Sequence, residues 1–438
     1  MRLSASQVAA ALGAEFYGSD SRVDGASVDS RTVAAGQLFV PIVADRDGHR
    51  FIDSALGAGA SAYLTAQAPA GGTAIVVDDT AAALWTLGGY ARGLLPDRII
   101  GITGSVGKTT VKDLVAGGLS AGMRTHATPA SYNNELGVPL TLLGAHEDAE
   151  AVVVEMGARF PGDIARLSGL VRPTIGVITS IGSAHLEHLG GTEGVRLEKG
   201  SLLDDLPATG HAVLNDVDCG PDVRRRTVAT VVTFGTGSGD VRGSVLGRDD
   251  ELRPTVRIDS PWGSGTVVLA VRGDHQAANA AAAVAVAMCA GIDFDAALGG
   301  VAGAEGTCLR AEFWRTPSGL RVLNDSYNAN PESVEAALRS LATVDAPRRV
   351  AVLGEMAELG RTGDDAHRRM GVLAASLDIE VVSVGVPAYG GTVVDRQEDA
   401  LALVSELPAD SVVLVKASRS VGLDRLAEEL RAGGVVGR

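Results

Sequence analysis

The run GITGSVGKTT sets Lys108, Thr109 and Thr110 behind glycines at 101, 104 and 107, and this combination of residue types handles phosphate. Glycines let the chain curl until successive N–H groups face one anion, and a helix starting at the lysine adds the positive end of its dipole. In such a loop Lys108 reaches the terminal phosphates of a nucleotide, and the Thr109 hydroxyl meets a magnesium ion. Gly104, Ser105, Gly107 and Thr110 complete the candidate loop. The spacing departs from the strict G-x-x-x-x-G-K-[ST] pattern, which would place a glycine at Ile102. A glycine-rich turn with a surface lysine is the bland alternative. The flanks argue against it: Arg98, Ile99 and Ile100 read as the end of a buried strand, and VKDLVAGGL repeats its apolar residues at helical spacing.

Other candidates stand where later strands end. AVVVEMGAR closes an apolar run in Glu155, a carboxylate able to hold a phosphate-bound cation beside such a loop, though elsewhere it would be a solvated strand end. TSIGSAHLEHLG and LEKGSLL bring His185, His188 and Lys199 after a strand expected to lie parallel to that of the loop. Core histidines and a solvated lysine would explain them equally well. GDHQAANAAAA sets His275 and Asn279 one turn apart, where they could meet an adenine or simply open a helix. NDSYNANPES joins a polar turn to Pro331 at a helix start, and turn chemistry alone accounts for its Asn, Asp and Ser. VVLVKASRS ends a last strand with Lys416, Ser418 and Arg419.

The elements that must position these residues form an α/β protein. At 438 residues the chain exceeds one ordinary core, and three segments are expected: 1–96, 97–308 and 309–438. The first alternates short β-like runs (QLFVPIV, SAYLTA, TAIVVDD) with small-residue helices and ends where Pro96 stops a helix. The second repeats strand–helix units from the glycine loop onward, with an antiparallel excursion between Phe234 and Arg272. The third reads LRVLNDSY, a helix from Pro331 to Leu341, then RRVAVLGEM, EVVSVG and SVVLVKAS. Such Val- and Ile-rich runs between helices imply parallel sheets covered on both faces. A net charge of −15 without any basic block argues against a nucleic-acid partner. The three cysteines are far apart and suit reduced, buried thiols. MRLSASQVAAALGAEF reads as an amphipathic helix rather than an export signal, and no apolar run reaches the ~18 residues of a membrane span. A cytoplasmic monomer without stable membrane association is the expectation.

In order along the chain, VDSRTVAAGQLFVPI, DGHRF, TGSVGKTT, SYNNELGVPLTLL, VEMGAR, SAHLEHLGGTEGVRLEKG, NDSYNANPESVEAAL, VAVLGEMAELG and VLVKASRS resemble the Mur ligase family. The resemblance covers nearly the whole sequence. It implies a central P-loop ATPase sheet flanked by an N-terminal α/β domain for a UDP substrate and a C-terminal Rossmann-like domain. It also implies ATP and Mg²⁺, with Lys108, Lys199, His185 and Arg310 catalytic. The metal set would be Thr109, Glu155, His185 and Lys199, the lysine carried as a carbamate. His275, Asn279, Arg310 and Asp325 would join the loop around ATP. Asp29, Ser30, Arg31, Asp47 and His49 match motifs for the UDP substrate, and Asn133 and Asn134 the loop that meets its peptide. Asn328, Asn330, Ser418 and Arg419 would face an incoming dipeptide. The pairing of DSYNANP with LGEMAELG implies UDP-N-acetylmuramoyl-tripeptide and D-alanyl-D-alanine as the joined substrates. Ser201 and Gln276 depart from the residues usual in the family. A paralogue serving another dipeptide or a secondary metabolite, or a regulatory NTPase, stays open at this point.

Overall fold

The computed structural model describes residues 2–182 and 186–433. Its centre is the strand Ile99–Thr103, buried throughout and flanked in parallel by Ala151–Glu155 and Ile175–Ile178. These neighbours are near-continuous Val/Ile runs because helices cover both faces of the sheet. The sheet has nine strands, with Thr125–Ala127 at one edge; on the other side His211–Asn215, Thr230–Gly235 and Val241–Arg248 extend it in parallel. Pro254–Ser260 and Gly263–Val268 then add the expected antiparallel excursion.

The strand runs three residues further than the sequence suggested, through Gly101. A Cβ on Gly101 would come within 2.6 Å of the Met156 side chain. This glycine therefore serves strand packing, and only Gly104 and Gly107 shape the loop. The opening helix is short, as expected, spanning Ala5–Leu12 where Ser4 caps it. Arg2–Ser4 instead pairs as a strand with Arg22–Asp24. The S-x-x-Q spacing of Ser4 and Gln7, a capping box, marks that boundary.

Two further sheets flank the central one. Glu15–Tyr17, Ala74–Val76, Ala62–Thr65, Leu38–Phe39 and Ala26–Ser27 form the first, parallel except for Glu15–Tyr17. Its apolar underside is continuous with that of the central sheet: helix Thr80–Leu94 packs on helix Gly137–Gly144, with Gly88 against Pro139. The last sheet orders Glu312–Arg315, Arg321–Asn324, Val412–Lys416, Arg349–Leu353, Glu380–Val384 and Thr392–Val394, antiparallel only at the first pair. Helices Pro331–Ala342 and Gly363–Ser376 cover one face, and Gln397–Ser405 and Asp424–Arg431 the other. Among the described residues no helix is long and apolar enough to cross a membrane. The three cysteines are free thiols; Cys219 is buried, but Cys308 is exposed rather than buried as expected.

Behind the glycine loop, the alanine-rich helix Gln276–Cys289 is buried almost all round, between the sheet and helices Lys108–Ser120 and Phe294–Gly303. A helix without a polar face must lie inside, and its small side chains let neighbours come close. Glycines do the same where the two covering helices meet. A Cβ on Gly117 would lie 2.6 Å from the Gly300 carbonyl, whereas one on Gly299 would meet nothing within 4 Å. Gly117→Ala should therefore lower stability by about 1–3 kcal/mol through overpacking, despite its better helix propensity. Gly299→Ala, free of contacts, should raise it by about 0.5–1 kcal/mol. Denaturant midpoints of the two variants check the opposed signs.

Candidate active site

The glycine loop is held by the end of the neighbouring strand. Gly104 has φ 152°, and a Cβ there would overlap Thr179 Oγ1 at 1.9 Å. That close approach lets Thr179 Oγ1 donate to the Val106 carbonyl at 2.5 Å, while Val106 N–H donates to Ser180 Oγ at 2.8 Å. Gly182 N–H donates to Ser105 Oγ at 2.9 Å. Gly107, at φ 84°, starts helix Lys108–Ser120 with no side-chain cap. The first N–H groups of that helix are thus left for an anion.

Cations gather around this loop. Lys108 Nζ folds back to donate to the Gly104 carbonyl at 2.6 Å. Loss of solvent pushes its pKa down, Arg310 adds to that, and Glu155 opposes it. Lys199, on helix Thr192–Gly200, is 1% exposed. Burial first, then repulsion from Lys108, lowers its pKa to about 7 against a weak pull from Glu198. It is a lysine poised to be neutral. Lys416, at the end of Val412–Lys416, is buried against Asp325 with Nζ 2.5 Å from Oδ2, and it donates to the Asn328 carbonyl at 2.8 Å. Desolvation lowers its pKa although Asp325 pulls the other way.

Two buried oxygens fit a divalent cation. Thr109 Oγ1 and Glu155 Oε2 have no hydrogen-bond partner, while Asn133 Nδ2 orients the carboxylate by donating to Oε1 at 2.8 Å. A hydroxyl and a carboxylate beside a phosphate loop are the hard donors magnesium takes. Among the described residues no group of three or more His, Cys, Asp and Glu side chains forms a metal site. His185 lies outside the described residues.

Two cavities open on either side of Lys108. The first runs along Gly107–Thr110 to His275, Gln276 and Asn279, and is closed by Arg272, Asp325 and Lys416. The amide of Gln276 bridges its recess, donating to His275 Nε2 at 3.0 Å and accepting from Asn279 at 2.7 Å. The second lies between Asn133, Asn134 and Glu155 on the central side and Asn328, Ser418 and Arg419 on the C-terminal side. Ser105, Lys108, Arg310, Asn328 and Asn330 line both. Arg310 stacks its guanidinium on the Tyr327 ring at 4.3 Å, and Leu309 and Ala311 beside it have φ 63° and 53°. Such left-handed backbone costs roughly 1–2 kcal/mol per non-glycine residue.

Several candidates have structural partners of their own. Asn330 caps helix Pro331–Ala342 by accepting from Ser333 N–H at 2.9 Å. Asn134 Oδ1 accepts from Gly137 N–H at 2.9 Å. Ser418 Oγ accepts from Ala357 N–H at 2.8 Å, and Arg419 pairs with Asp424 at 2.8 Å. In the first sheet's loops Asp29 and Arg31 pair with each other at 2.6 Å beside the half-buried Ser30. His49 is buried, its Nδ1 2.7 Å from Asp47 and its Nε2 accepting from Ala66 N–H. These five residues line neither of the two cavities.

The same architecture occurs in known proteins. The description "Mur ligase middle domain" matches residues 102–287, and "Mur ligase, glutamate ligase domain" matches 309–436. The UDP-N-acetylmuramoyl-tripeptide–D-alanyl-D-alanine ligase of Synechocystis is 35% identical, covering 94% of this chain and 93% of that protein. That of Escherichia coli is 32% identical over 98% of each. The chain belongs to the Mur ligase family. Among solved structures, a crystal structure of MurF from Acinetobacter baumannii superposes with a TM-score of 0.86 at 28% identity, over 99% of each chain. MurF ligase from Thermotoga maritima in complex with ADP gives 0.80 at 27%, over 94% of this chain and 98% of that one.

In this Mur ligase two side chains near the site were not singled out from the sequence: Lys112 and Tyr327. Lys112 Nζ holds the Thr128 and Ala130 carbonyls at 2.9 Å and so fixes the loop that carries Asn133. A lysine four residues beyond Lys108, on the buried side of its helix, was the available signal for Lys112. The Lys416–Asp325 pair is mutual support: Asp325→Ala leaves a buried ammonium alone and should cost ~3 kcal/mol. Adding Lys416→Met should recover most of that loss. Urea unfolding of both variants tests the pair, and a cost under about 1 kcal/mol for the single change would remove it.

Proposed function

We propose that this Mur ligase joins D-alanyl-D-alanine to UDP-N-acetylmuramoyl-tripeptide at the expense of ATP, with segments 1–96, 97–308 and 309–438 serving the UDP substrate, the nucleotide and the ligation step. The observation that carries it is the pair of cavities meeting at Ser105, Lys108, Arg310, Asn328 and Asn330. A nucleotide in one and a peptide carboxylate in the other would face each other across Lys108. ATP sits along Gly104–Thr110, with its base toward His275 and Asn279 and Asp325 on its C-terminal side. The tripeptide's end enters past Asn133 and Asn134, with Asp29, Ser30, Arg31, Asp47 and His49 shaping the distant UDP end. The dipeptide approaches by Asn328, Asn330, Ser418 and Arg419.

The carboxylate oxygen attacks the γ-phosphorus, the bond to the β-phosphate oxygen breaks, and ADP leaves an acyl phosphate. The dipeptide amine, having lost its proton, attacks the carbonyl carbon, and inorganic phosphate departs from the tetrahedral species to leave an amide. Lys108 and Arg310 meet the charge that develops on the transferred group. The C-terminal side of the cavity excludes water that would hydrolyse the acyl phosphate. Mg²⁺ would be held by Thr109, Glu155, His185 and the carbamate of Lys199, neutralising phosphate charge when bound.

ADP release should require both a UDP-muramoyl tripeptide and a D,D-dipeptide, and Lys108→Ala should abolish it with the fold intact. ADP formed at full rate without the amine would point to a nucleotide hydrolase instead. Thr109→Val should weaken metal-dependent turnover more than nucleotide binding, seen as a raised Mg²⁺ requirement. The role of Lys199 is separately testable, because a buried lysine whose pKa is lowered by lost hydration is suited to react with CO₂. Lys199→Ala should be nearly inactive, short carboxylic acids should partly restore it, and wild-type turnover should rise with bicarbonate. Indifference to bicarbonate, with a bare amine in a substrate-bound crystal, would exclude the carbamate.

A further inference from the structure

Arg310 needs support. Its Nε has no hydrogen-bond partner, and both of its chain neighbours sit in left-handed backbone. Tyr327 supplies that support from three directions. Its ring lies under the guanidinium, its backbone N–H donates to the Leu309 carbonyl at 3.2 Å, and its hydroxyl meets the hydroxyl of Ser131. Ser131 belongs to the central loop whose Asn133 orients Glu155, and whose Asn133 carbonyl accepts from Gly157 N–H at 2.8 Å. A continuous path therefore runs from Glu155 through Asn133 and Ser131 to Tyr327 and Arg310, crossing from the central sheet to the C-terminal one.

We propose that Tyr327 is a positioning residue that ties the pose of Arg310 to the Ser131–Asn133 loop, so that the arginine faces the transferred phosphate only when that loop is seated. The inference rests on the ligase reading and adds a coupling to it. The ring alone would hold the guanidinium near the nucleotide; the hydroxyl makes its placement answer to the cavity for the peptide carboxylate. This would discourage phosphoryl transfer to water when the substrate loop is displaced.

The test is a double-mutant cycle with Tyr327→Phe and Ser131→Ala. Each single change should lower kcat about tenfold, with the dipeptide KM unchanged and the thermal midpoint preserved. The double variant should lose no more than the worse single, because both remove one contact. Tyr327→Leu, which also removes the ring, should lose about a hundredfold. Calorimetric affinity for a non-hydrolysable ATP analogue with Mg²⁺ should fall about threefold in each single variant and no further in the double. That arm reads the coupling whatever the acyl acceptor is. A wild type that makes no amide but keeps the non-additive nucleotide cycle sinks the ligase reading and leaves Tyr327 in its role. Additive losses in an amide-forming enzyme, or a loss confined to the tripeptide KM, overturn the positioning role.

Discussion

Four cations form a chain in a sheltered region, Lys199 beside Lys108, and Lys108 and Lys416 each beside Arg310, with Glu155, Glu198 and Asp325 as the carboxylates that act on the lysines. Lost hydration first, and mutual repulsion after it, show in the direction of the shifts: all three lysines are pushed toward neutrality. A fold accepts such an imbalance where an anion is to be bound, since a triphosphate supplies the missing charge without reorganising the site. On the proposed reading, the groups that cost folding free energy are the ones that would give a nucleotide its affinity, so that stability is given up where chemistry needs it.

Holding that imbalance explains the construction around it. The glycine loop is stapled to Thr179 and Ser180 from the adjacent strand, so its N–H groups keep their direction without help from a ligand. The helix it starts is locked from behind by an all-buried alanine helix. Lys112 shows how narrow the margin is. It lies on the same helix as Lys108, yet its ammonium is wholly spent on two carbonyls and Asp113. One lysine of the helix serves the loop opposite, and the other faces the cavity.

Much of this was legible in the sequence, for reasons that can be named. Strand-end residues such as Glu155 and Lys416 follow long apolar runs, and a charged residue there must emerge at the carboxyl edge where ligands collect. That the sheets are parallel, and that an antiparallel excursion interrupts the central one, was likewise readable from the apolar runs and the alternation of residues. Gly101 was misleading because glycine is used both to turn a chain and to let another side chain in, and only the contact with Met156 tells which. His49 entered only through the resemblance to the family's UDP-substrate motif, and its spacing alone did not announce that Asp47 and the Ala66 N–H would hold both of its ring nitrogens. Tyr327 could not be read at all, since its partners Ser131 and Arg310 come from different parts of the chain.

The placement of shared residues has one further consequence. Ser105 and Lys108 come from the central sheet, Arg310 from the junction, and Asn328 and Asn330 from the C-terminal sheet. No single unit contains the surface at which the two cavities meet. Contacts across the seam hold it: Arg159 pairs with Glu358 at 3.3 Å, and Glu187 N–H approaches the Glu358 carbonyl. Glu358 does this from left-handed backbone at φ 62°, a conformation a glutamate adopts at a cost that its surroundings must offset. An exposed ion pair contributes little by itself, and the seam is also crossed by the Ser131–Tyr327 hydroxyl contact and by Leu252, which packs into the core of the C-terminal sheet. On the proposed reading, a nucleotide in one cavity and a peptide carboxylate in the other would touch both sides of this seam, so that bringing Arg310 and Lys108 to one phosphate would draw on occupancy of both cavities rather than on either sheet alone.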